Sequence, residues 1–399
     1  MANVFRLSIN RILNSKPALL KKSTTFITIQ KCHISGKTLR GSELARPPPY
    51  PYKTKGYGML NALFDKTTSR FNENSKVIII DGPLAAGKTE LAKQLAEELE
   101  MLYIPEANMD MYYINDYGYD MRQLDEKLPE SCRSFDVKDF CKNPKHFNVA
   151  NFQILMFHIR FGQYFDAIAH LLNTGQGVIL DRSVFSDFVF MEAMYKCGFV
   201  SKGARSVYQQ IRENVMDECI FPHLVIYLDI SVDEVKKRLA KRALPHEKNS
   251  PALTDQFLSS IEYEYKSKYL KSMTPNSELL IYDWTSHGDI EVVTEDIERI
   301  DFDRFSKYDT QLREWRLRNE WEWAALRIKY TNEKDNILSY FNVARFDVPE
   351  LIVEPYDAKK LREVWLSAPG MQYRYGYNEE MGDSGILTRT SMLGPVEKK

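Results

Sequence analysis

The run Gly82-Pro83-Leu84-Ala85-Ala86-Gly87-Lys88-Thr89 decides the fold of this chain. It follows an apolar stretch, Val77–Asp81, and precedes a helical pattern that begins at Glu90. A glycine-rich loop between a strand and a helix, ending in Gly-Lys-Thr, is typical of a phosphate loop, because its backbone N–H groups converge on phosphate oxygens at the positive end of the helix. The sequence therefore predicts a nucleoside polyphosphate site rather than a plain turn, with the phosphates held by Gly82, Ala85, Ala86, Gly87, Lys88 and Thr89.

The composition narrows the class of protein. The chain has 399 residues, 44% of them hydrophobic, which is enough for a large core and even for two domains. Its net charge of −1 argues against electrostatic binding of nucleic acid. Five scattered cysteines without a C-x-x-C pair argue against a disulfide framework or a zinc site. No stretch reaches the roughly 18 apolar residues that span a bilayer, so we expect any membrane contact to be peripheral.

The first 42 residues differ from the rest of the chain. They are basic and rich in Ser and Thr, and the first acidic residue is Glu43. Such a segment is typical of a mitochondrial transit peptide; a disordered basic tail is the alternative, and a secretory signal would need a continuous apolar core that is missing here. We predict a leader over residues 1–42 and an extended linker over 43–75, which contains Pro47-Pro48-Pro49-Tyr50-Pro51.

Strand and helix signals alternate from residue 76 to about 283, and we place the domain boundary at residue 300. This alternation predicts an α/β domain with a parallel sheet flanked by helices. The predicted strands are Val77–Asp81, Leu102–Pro105, Val178–Asp181, Leu224–Asp229 and Leu279–Tyr282. The predicted helices include Asn151–Leu172, Ser186–Tyr195, Ala204–Asp217, Val232–Lys241 and Asp255–Lys271, and the segment 112–146 shows little periodicity.

Charged residues follow two of the predicted strands, at the sheet edge where open α/β folds bind ligands. Asp181 and Arg182 end the third strand, and Glu106 follows the second. Asp181 and Thr89 are candidates to hold Mg²⁺, and Arg182 to face a phosphate. Glu106 is a candidate general base for an attacking hydroxyl, the alternative being a solvated loop carboxylate.

With Phe152-Gln153, Asp181-Arg182-Ser183 and Arg238-Leu239-Ala240-Lys241-Arg242, residues 76–283 resemble the deoxyribonucleoside kinases. The resemblance implies that Glu106 is the base position and that Gln153 and Arg160 read the nucleobase, with Asp187 supporting the arginine. Gln153 and Arg160 lie on one helical face, although they could also be polar positions on a core-facing helix. Arg182, Arg238 and Arg242 would act on the phosphates.

The chain departs from that family at two places. Met111 replaces the aromatic residue that packs against the nucleoside, and Leu244 stands where the lid carries a third arginine. Because an arginine on the transferring phosphoryl group can contribute about 10³–10⁵ in rate, these changes indicate that binding is retained and transfer impaired. An active mitochondrial deoxyribonucleoside kinase, acting through Glu106 with Mg-ATP, stays the alternative.

Residues 301–399 extend beyond the kinase-like region and hold four of the five tryptophans. We predict one helix over 303–334, with Phe305, Tyr308, Leu312 and Trp315 on one stripe, followed by an extended, partner-binding arm over 340–399. A generic P-loop ATPase is less consistent with the nucleobase residues.

With such an arm and a mitochondrial leader, the chain resembles the kinase-like accessory subunits of mitochondrial NADH:ubiquinone oxidoreductase, respiratory complex I. That resemblance implies other complex I subunits as partners, a place on the matrix side of the inner membrane, and a role in assembly or stability without catalysis. A nucleotide with Mg²⁺ is the expected ligand. FAD is attributed to that family, but no residue pattern in this chain supports a flavin site or any other redox cofactor.

Overall fold

A five-stranded parallel sheet forms the centre of the protein. The computed structural model describes residues 34–37, 46–286, 288–303, 310–345 and 347–385. The strands are Val77–Asp81 (β1), Leu102–Ile104 (β2), Val178–Asp181 (β3), Leu224–Asp229 (β4) and Glu278–Asp283 (β5), in the order β2-β3-β1-β4-β5. Every residue of β1 is buried, as expected for a strand with helices on both faces of its sheet. The predicted α/β fold is confirmed, and the strand predictions hold to within one residue at each end.

Helices cover both faces of the sheet and continue beyond it. Within the described residues the α-helices are Met59–Phe64 (α1), Lys88–Glu98 (α2), Asp110–Tyr113 (α3), Val137–Lys142 (α4), Val149–Thr174 (α5), Phe188–Lys196 (α6), Lys202–Met216 (α7), Val232–Arg242 (α8), Asp255–Glu264 (α9), Leu270–Met273 (α10), Ile290–Glu298 (α11), Glu320–Asn332 (α12), Lys334–Leu338 (α13) and Pro355–Leu366 (α14).

The predicted helices within the α/β domain agree with α5 to α10 in place, with two local differences. A 3₁₀ turn, Val184–Ser186, precedes α6, and a π-turn, Tyr265–Tyr269, separates α9 from α10. Tyr265 and Tyr269 lie in this π-turn and are fully buried, and the Tyr265 hydroxyl donates a hydrogen bond to Asp81 at the end of β1. Such turns inside helices are frequent at functional sites, because the extra residue changes the direction of neighbouring side chains.

The prediction of one helix over 303–334 was wrong. Residues 310–319 contain one 3₁₀ turn, Arg313–Trp315, and no α-helix. Leu312 has a left-handed φ of 57°, which is incompatible with a right-handed helix running through it. A new helix, α12, starts where the Asn319 side chain caps the N–H groups of Trp321 and Glu322. Of the predicted stripe, Leu312 and Trp315 pack on the core, whereas Phe305 and Tyr308 fall outside the described residues.

The arm is also less extended than predicted. It contains α14, whose Val364 packs with Ala368 against Met121, Leu124 and Leu128. Farther along, Asn378 Nδ2 donates a hydrogen bond of 3.1 Å to the hydroxyl of Tyr117. The arm therefore covers the irregular segment that follows β2, while its residues 386–399 fall outside the described part of the chain.

The segment predicted as an extended linker folds against the C-terminal helix α12. Buried Arg327 on α12 contacts Asp65 at 2.9 Å and donates to Asn173 on α5 at 2.7 Å, and its guanidinium lies 3.7 Å from the ring centroid of Tyr57. Residues 46–75, α5 and α12 thus share one buried cluster. The two regions that flank the kinase-like domain in sequence are held together on its surface.

The folded part of the chain reaches into the predicted leader. Ile34 is 1% exposed in the core, and Ser35 N donates to Asn74 Oδ1 at 2.8 Å. The predicted boundary at residue 42 assigned both residues to the leader, most of which lies outside the described residues. Among the helices that the structure describes, none combines the length and apolarity needed to cross a bilayer.

Candidate nucleotide site

The phosphate loop adopts the conformation that its sequence predicts. Gly82 has φ 148° and Gly87 has φ 91°, both in the region that favours glycine, and a Cβ at Gly82 would lie 2.7 Å from the Leu228 carbonyl oxygen. Lys88 opens α2 and is 5% exposed, with its Nζ donating to the Pro83 carbonyl at 3.0 Å. Burial, and to a lesser extent the nearby Arg182 cation, lower the pKa of Lys88 to about 8.

Asp81 and Asp181, at the ends of the paired strands β1 and β3, each have one carboxylate oxygen that makes no hydrogen bond. The Thr89 hydroxyl donates to Asp181 Oδ2, whereas Asp181 Oδ1 and Asp81 Oδ2 are buried without a hydrogen-bond partner. Burial raises the pKa of Asp181, although the Lys88 cation opposes this shift. Mg²⁺ prefers oxygen ligands such as carboxylates. A buried carboxylate oxygen without a hydrogen-bond partner needs an explanation, and a bound cation would supply one. Asp181, Asp81 and Thr89 therefore fit a magnesium ion bound with a nucleotide, and Asp81 is an addition to the residues predicted for it.

Glu106 and Arg182 form an ion pair at the edge of the loop. Arg182 Nε donates to Glu106 Oε1 at 2.7 Å, and Arg182 has a left-handed φ of 67°. Desolvation would raise the pKa of Glu106, but the cations of Arg182, Lys88 and Arg160 together lower it to about 2. Glu106 is thus ionised at neutral pH, faces the cleft, and is a weak proton acceptor.

The predicted nucleobase residues Gln153 and Arg160 lie on α5 and both contact Asp187, which directly precedes α6. Gln153 Nε2 donates to Asp187 Oδ2 at 2.9 Å, and the Arg160 guanidinium pairs with Asp187 Oδ1. Asp187 is fully buried behind these two side chains, which line the cleft. The Tyr208 hydroxyl donates the remaining hydrogen bond, at 2.7 Å, to Asp187 Oδ2. Asp187 therefore fixes the orientation of the Gln153 amide and the Arg160 guanidinium. Both groups can form hydrogen bonds with the edge of a nucleobase.

One cleft of about 1050 Å³ contains the loop, Glu106 and the Gln153–Arg160 pair. Its volume lies at the upper end for small-molecule sites. Apolar side chains also line this cleft: Phe140, Phe152, Met156, Phe190, Met194, Leu253 and Phe257. Met111, predicted to replace an aromatic wall, does not line this cleft; it is 42% exposed and its sulfur lies 3.3 Å from Gln163 Nε2.

Both lid arginines are engaged by the protein itself. Arg238 donates to the Ala86 carbonyl at 3.0 Å and to the Trp284 carbonyl at 2.6 Å. Arg242 pairs with Glu247, with 3.0 Å between Nε and Oε2. Both side chains line the cleft next to the phosphate loop. An incoming phosphate would have to compete with these carbonyl and carboxylate acceptors.

Several residues of the site have no motif that identifies them in the sequence. The Tyr265 hydroxyl donates to Asp81 Oδ1 at 2.7 Å and also contacts the Arg182 guanidinium. The ring of Phe190 lies 4.7 Å from the guanidinium carbon of Arg182 and 5.3 Å from that of Arg160. These aromatic side chains hold the two cations in place through their π-faces.

Comparison with known proteins identifies the family of this chain. The family model described as "Deoxynucleoside kinase" matches residues 78–315. The mitochondrial protein NADH dehydrogenase (ubiquinone) 1 alpha subcomplex subunit 10 of Mus musculus is 35% identical over 333 residues, which is 83% of this chain and 89% of that protein. The Bos taurus protein of the same name is 35% identical over 83% of this chain and 92% of its own length. The chain belongs to the alpha subcomplex subunit 10 family. Its residues 78–315 form a deoxynucleoside kinase family domain.

Kinases match a shorter part of the chain. The deoxyguanosine kinase of Dictyostelium discoideum is 28% identical over 236 residues, 59% of this chain and 73% of the kinase. Among solved structures, the deoxyadenosine kinase from M. mycoides with bound dATP has a TM-score of 0.42 and 21% identity, covering 55% of this chain and 96% of that chain. The similarity to the subunit 10 proteins thus extends past the domain that the kinases share with this chain.

Proposed function

We propose that this chain is a non-catalytic accessory subunit of mitochondrial NADH:ubiquinone oxidoreductase, complex I, and that it supports assembly of the complex on the matrix side of the inner membrane. The observation that carries the proposal is the length of the match. Subunit 10 proteins cover 83% of the chain and the deoxyguanosine kinase 59%. The match to the subunit 10 proteins spans 333 residues and so includes residues outside the kinase domain at 78–315. Phosphoryl transfer does not require those outer residues.

The geometry of the cleft supports binding more than phosphoryl transfer. Lys88, Thr89 and Asp181 keep the arrangement needed for a magnesium nucleotide. By contrast, Leu244 replaces a lid arginine that the kinase resemblance implies, and Glu106 has a pKa of about 2. We therefore propose that the cleft holds a nucleotide as a structural ligand. Its base would contact Gln153 and Arg160, and Mg²⁺ would neutralise charge on the phosphates.

The C-terminal arm supplies a surface for other subunits of complex I. Ile352, Val353 and Tyr356 are exposed to 45%, 41% and 78%, next to the start of α14. Farther along α14, Val364 is buried against the chain itself. One part of the arm thus anchors it, and the apolar part before it stays open to a partner. Apolar residues exposed in this way are common at sites of protein association.

The test is complementation of cells that lack this chain, with complex I measured by native electrophoresis and NADH dehydrogenase staining. We expect wild-type chain and Lys88→Ala to restore the large complex, and the combined change Ile352→Ser, Val353→Ser and Tyr356→Ser to reduce it. Because these three residues are exposed, the variant should keep the thermal stability of the wild type. A matched control is Tyr263→Ser, 57% exposed on α9.

Either of two results would contradict the proposal. A chain that migrates free of the complex, with complex I unaffected by its loss, would remove the subunit role. Phosphate transfer from Mg-ATP to a deoxynucleoside by the purified chain, lost in Glu106→Gln, would show an active kinase instead. FAD belongs in the same binding assays as ATP, ADP and deoxynucleotides, so that the ligand class is measured directly.

A further inference from the structure

Helix α1 directs its large apolar side chains into solvent. Met59, Leu60, Leu63 and Phe64 are exposed to 60%, 77%, 55% and 92%, and of the six residues in this helix only Ala62 is buried. Four exposed large apolar residues in one short helix create a contiguous surface that gains free energy when it is removed from water. The arrangement is therefore typical of a site that another surface covers.

The outward direction of these side chains is fixed by the fold. Tyr57 N donates to Asn332 Oδ1 at 3.1 Å, Asn332 Nδ2 donates to the Tyr57 carbonyl at 2.6 Å, and the Tyr57 hydroxyl donates to the Asp65 carbonyl at 2.7 Å. Ala62 packs with Tyr57 and Ala324 in a small cluster between α1 and α12. Because both ends of α1 are tied to the protein, the helix cannot turn its apolar face inward without breaking these contacts.

A tryptophan extends the same surface. Trp321, 52% exposed, precedes Ala324 and Ile328 by three and seven residues, and these two pack beside α1. Its neighbour Glu320 holds the chain that follows α1, through a hydrogen bond of 2.6 Å from the Thr68 hydroxyl. Trp321 thus directly follows the residue that binds the segment after α1, and it is half exposed to solvent.

The exposed charged side chains of residues 53–69, the segment that contains α1, are all positive, whereas Glu320 and Glu322 beside Trp321 are half-buried and accept hydrogen bonds from the protein. Lys53, Lys55 and Lys66 are exposed. The one acidic residue between positions 53 and 69 is Asp65, which is turned inward to Arg70 at 2.6 Å and Arg327 at 2.9 Å. We name as the α1 patch the apolar residues and the lysines together: Met59, Leu60, Leu63, Phe64, Trp321, Lys53, Lys55 and Lys66.

We propose that the α1 patch binds the surface of an anionic phospholipid bilayer. Its aliphatic and aromatic side chains would enter the boundary between headgroups and acyl chains, and its lysines would contact lipid phosphates. Tryptophan favours this depth because one end of its ring is apolar and the other can donate a hydrogen bond. A stable protein interface buries about 800 Å² on each side, which is more than four apolar side chains on α1 and one tryptophan on α12 provide. Among the described residues, the exposed charges of the segment 53–69 are also of one sign, which favours an anionic bilayer.

The experiment compares binding of the full-length chain to vesicles of phosphatidylcholine alone and to vesicles in which about a quarter of the lipid is phosphatidylglycerol. We expect binding to the anionic vesicles, weakened by salt. Leu60→Gln with Phe64→Gln should weaken it roughly tenfold or more, because both side chains are removed from the acyl region. Replacing Lys53, Lys55 and Lys66 by Gln should weaken it roughly fivefold per lysine.

Matched variants separate the α1 patch from other basic segments of the chain. Lys202, Lys359 and Lys360, also exposed, are replaced by Gln to give the same change of net charge, and Tyr356→Gln removes an apolar side chain of 78% exposure. A fluorescent amino acid sensitive to its environment is placed at position 64, and at position 356 as a control. We expect a blue shift on anionic vesicles at position 64 alone.

Two outcomes would overturn the proposal. The Leu60→Gln, Phe64→Gln variant could bind vesicles as well as the wild type, or the probe at position 64 could keep its emission in water while the chain is vesicle-bound. Either result would place the apolar face of α1 against a protein partner instead. Because both positions are exposed, the unfolding temperature of the variants should equal that of the wild type, so misfolding would not be mistaken for lost binding.

Discussion

Raising the pH above neutrality should release nucleotide from this chain, because the Lys88 amine has a lowered pKa and loses its proton in that range. Its side chain is 5% exposed, and burial lowers its pKa to about 8, more than two units below that of a solvated lysine. A bound phosphate needs the protonated amine. If only the protonated form binds, affinity is nearly constant below pH 8 and falls about tenfold for each pH unit above it.

Calorimetric titration with a Mg-nucleoside triphosphate measures this directly. From about pH 7 to pH 9 we expect the dissociation constant of the wild type to rise about tenfold, since about a tenth of Lys88 is protonated one unit above its pKa. Lys88→Arg is the matched control, because a guanidinium stays charged across this range and should give a flat profile. The same slope in Lys88→Arg, or no slope in the wild type, would refute the assignment of Lys88 as the titrating phosphate ligand.

Substitutions of buried charges should change stability in opposite directions. Lys88→Met should raise the free energy of unfolding by about 1–3 kcal/mol at pH 7, because the pKa of Lys88 is about 8 in the folded chain and higher in the unfolded chain, so folding buries a charge. Urea titrations should show that this gain shrinks as the pH rises toward 10, where the folded chain no longer carries that charge. Arg327→Met should lower the same free energy by about 3 kcal/mol, since Asp65 and Asn173 lose their buried donor, and an unchanged urea midpoint would contradict this. Asp187→Asn should cost about 2–4 kcal/mol and weaken nucleoside binding, because buried Arg160 would lose the carboxylate that it pairs with most closely and would keep only Glu106, at 3.7 Å. Thermal unfolding and calorimetry test it, and Asp139→Asn at an exposed pair is the control.

The fold and the phosphate loop could be predicted because the residues that identify them are close together in the sequence. The phosphate loop lies within eight consecutive residues, and Asp181-Arg182-Ser183 directly follows a strand. Strand ends of a parallel sheet meet at one edge, which brings Glu106 to Arg182 without further information. Periodicity on α5 was likewise sufficient to pair Gln153 with Arg160.

The rest depends on contacts between distant parts of the chain. Tyr265 meets Asp81 across 184 positions, and a tyrosine in a helix carries no sign of such a contact. Met111 was misassigned because the short helix α3 decides its direction, and that turn has no clear periodic signal. The break before α12 was readable in principle: Asn319 precedes Glu322 by three residues, which is a helix-start signal that the predicted long helix ignored.

If the cleft binds a nucleotide without transferring phosphate, as proposed, the ligand should stabilise the fold. A kinase releases its nucleotide after each transfer, whereas a cleft that binds without transfer keeps the ligand as part of the folded state. A ligand at about 100 times its dissociation constant stabilises a protein by about 2.7 kcal/mol, which is comparable with the loss of a buried ion pair such as Arg160–Asp187. For a chain of 399 residues that gain corresponds to a rise of about 3 °C in unfolding temperature. On the structural-ligand proposal, Glu106→Gln should show the same rise with nucleotide as the wild type, because binding needs no proton acceptor, whereas Lys88→Ala should show little. A rise that required Glu106 and turnover would instead show that the cleft still performs chemistry.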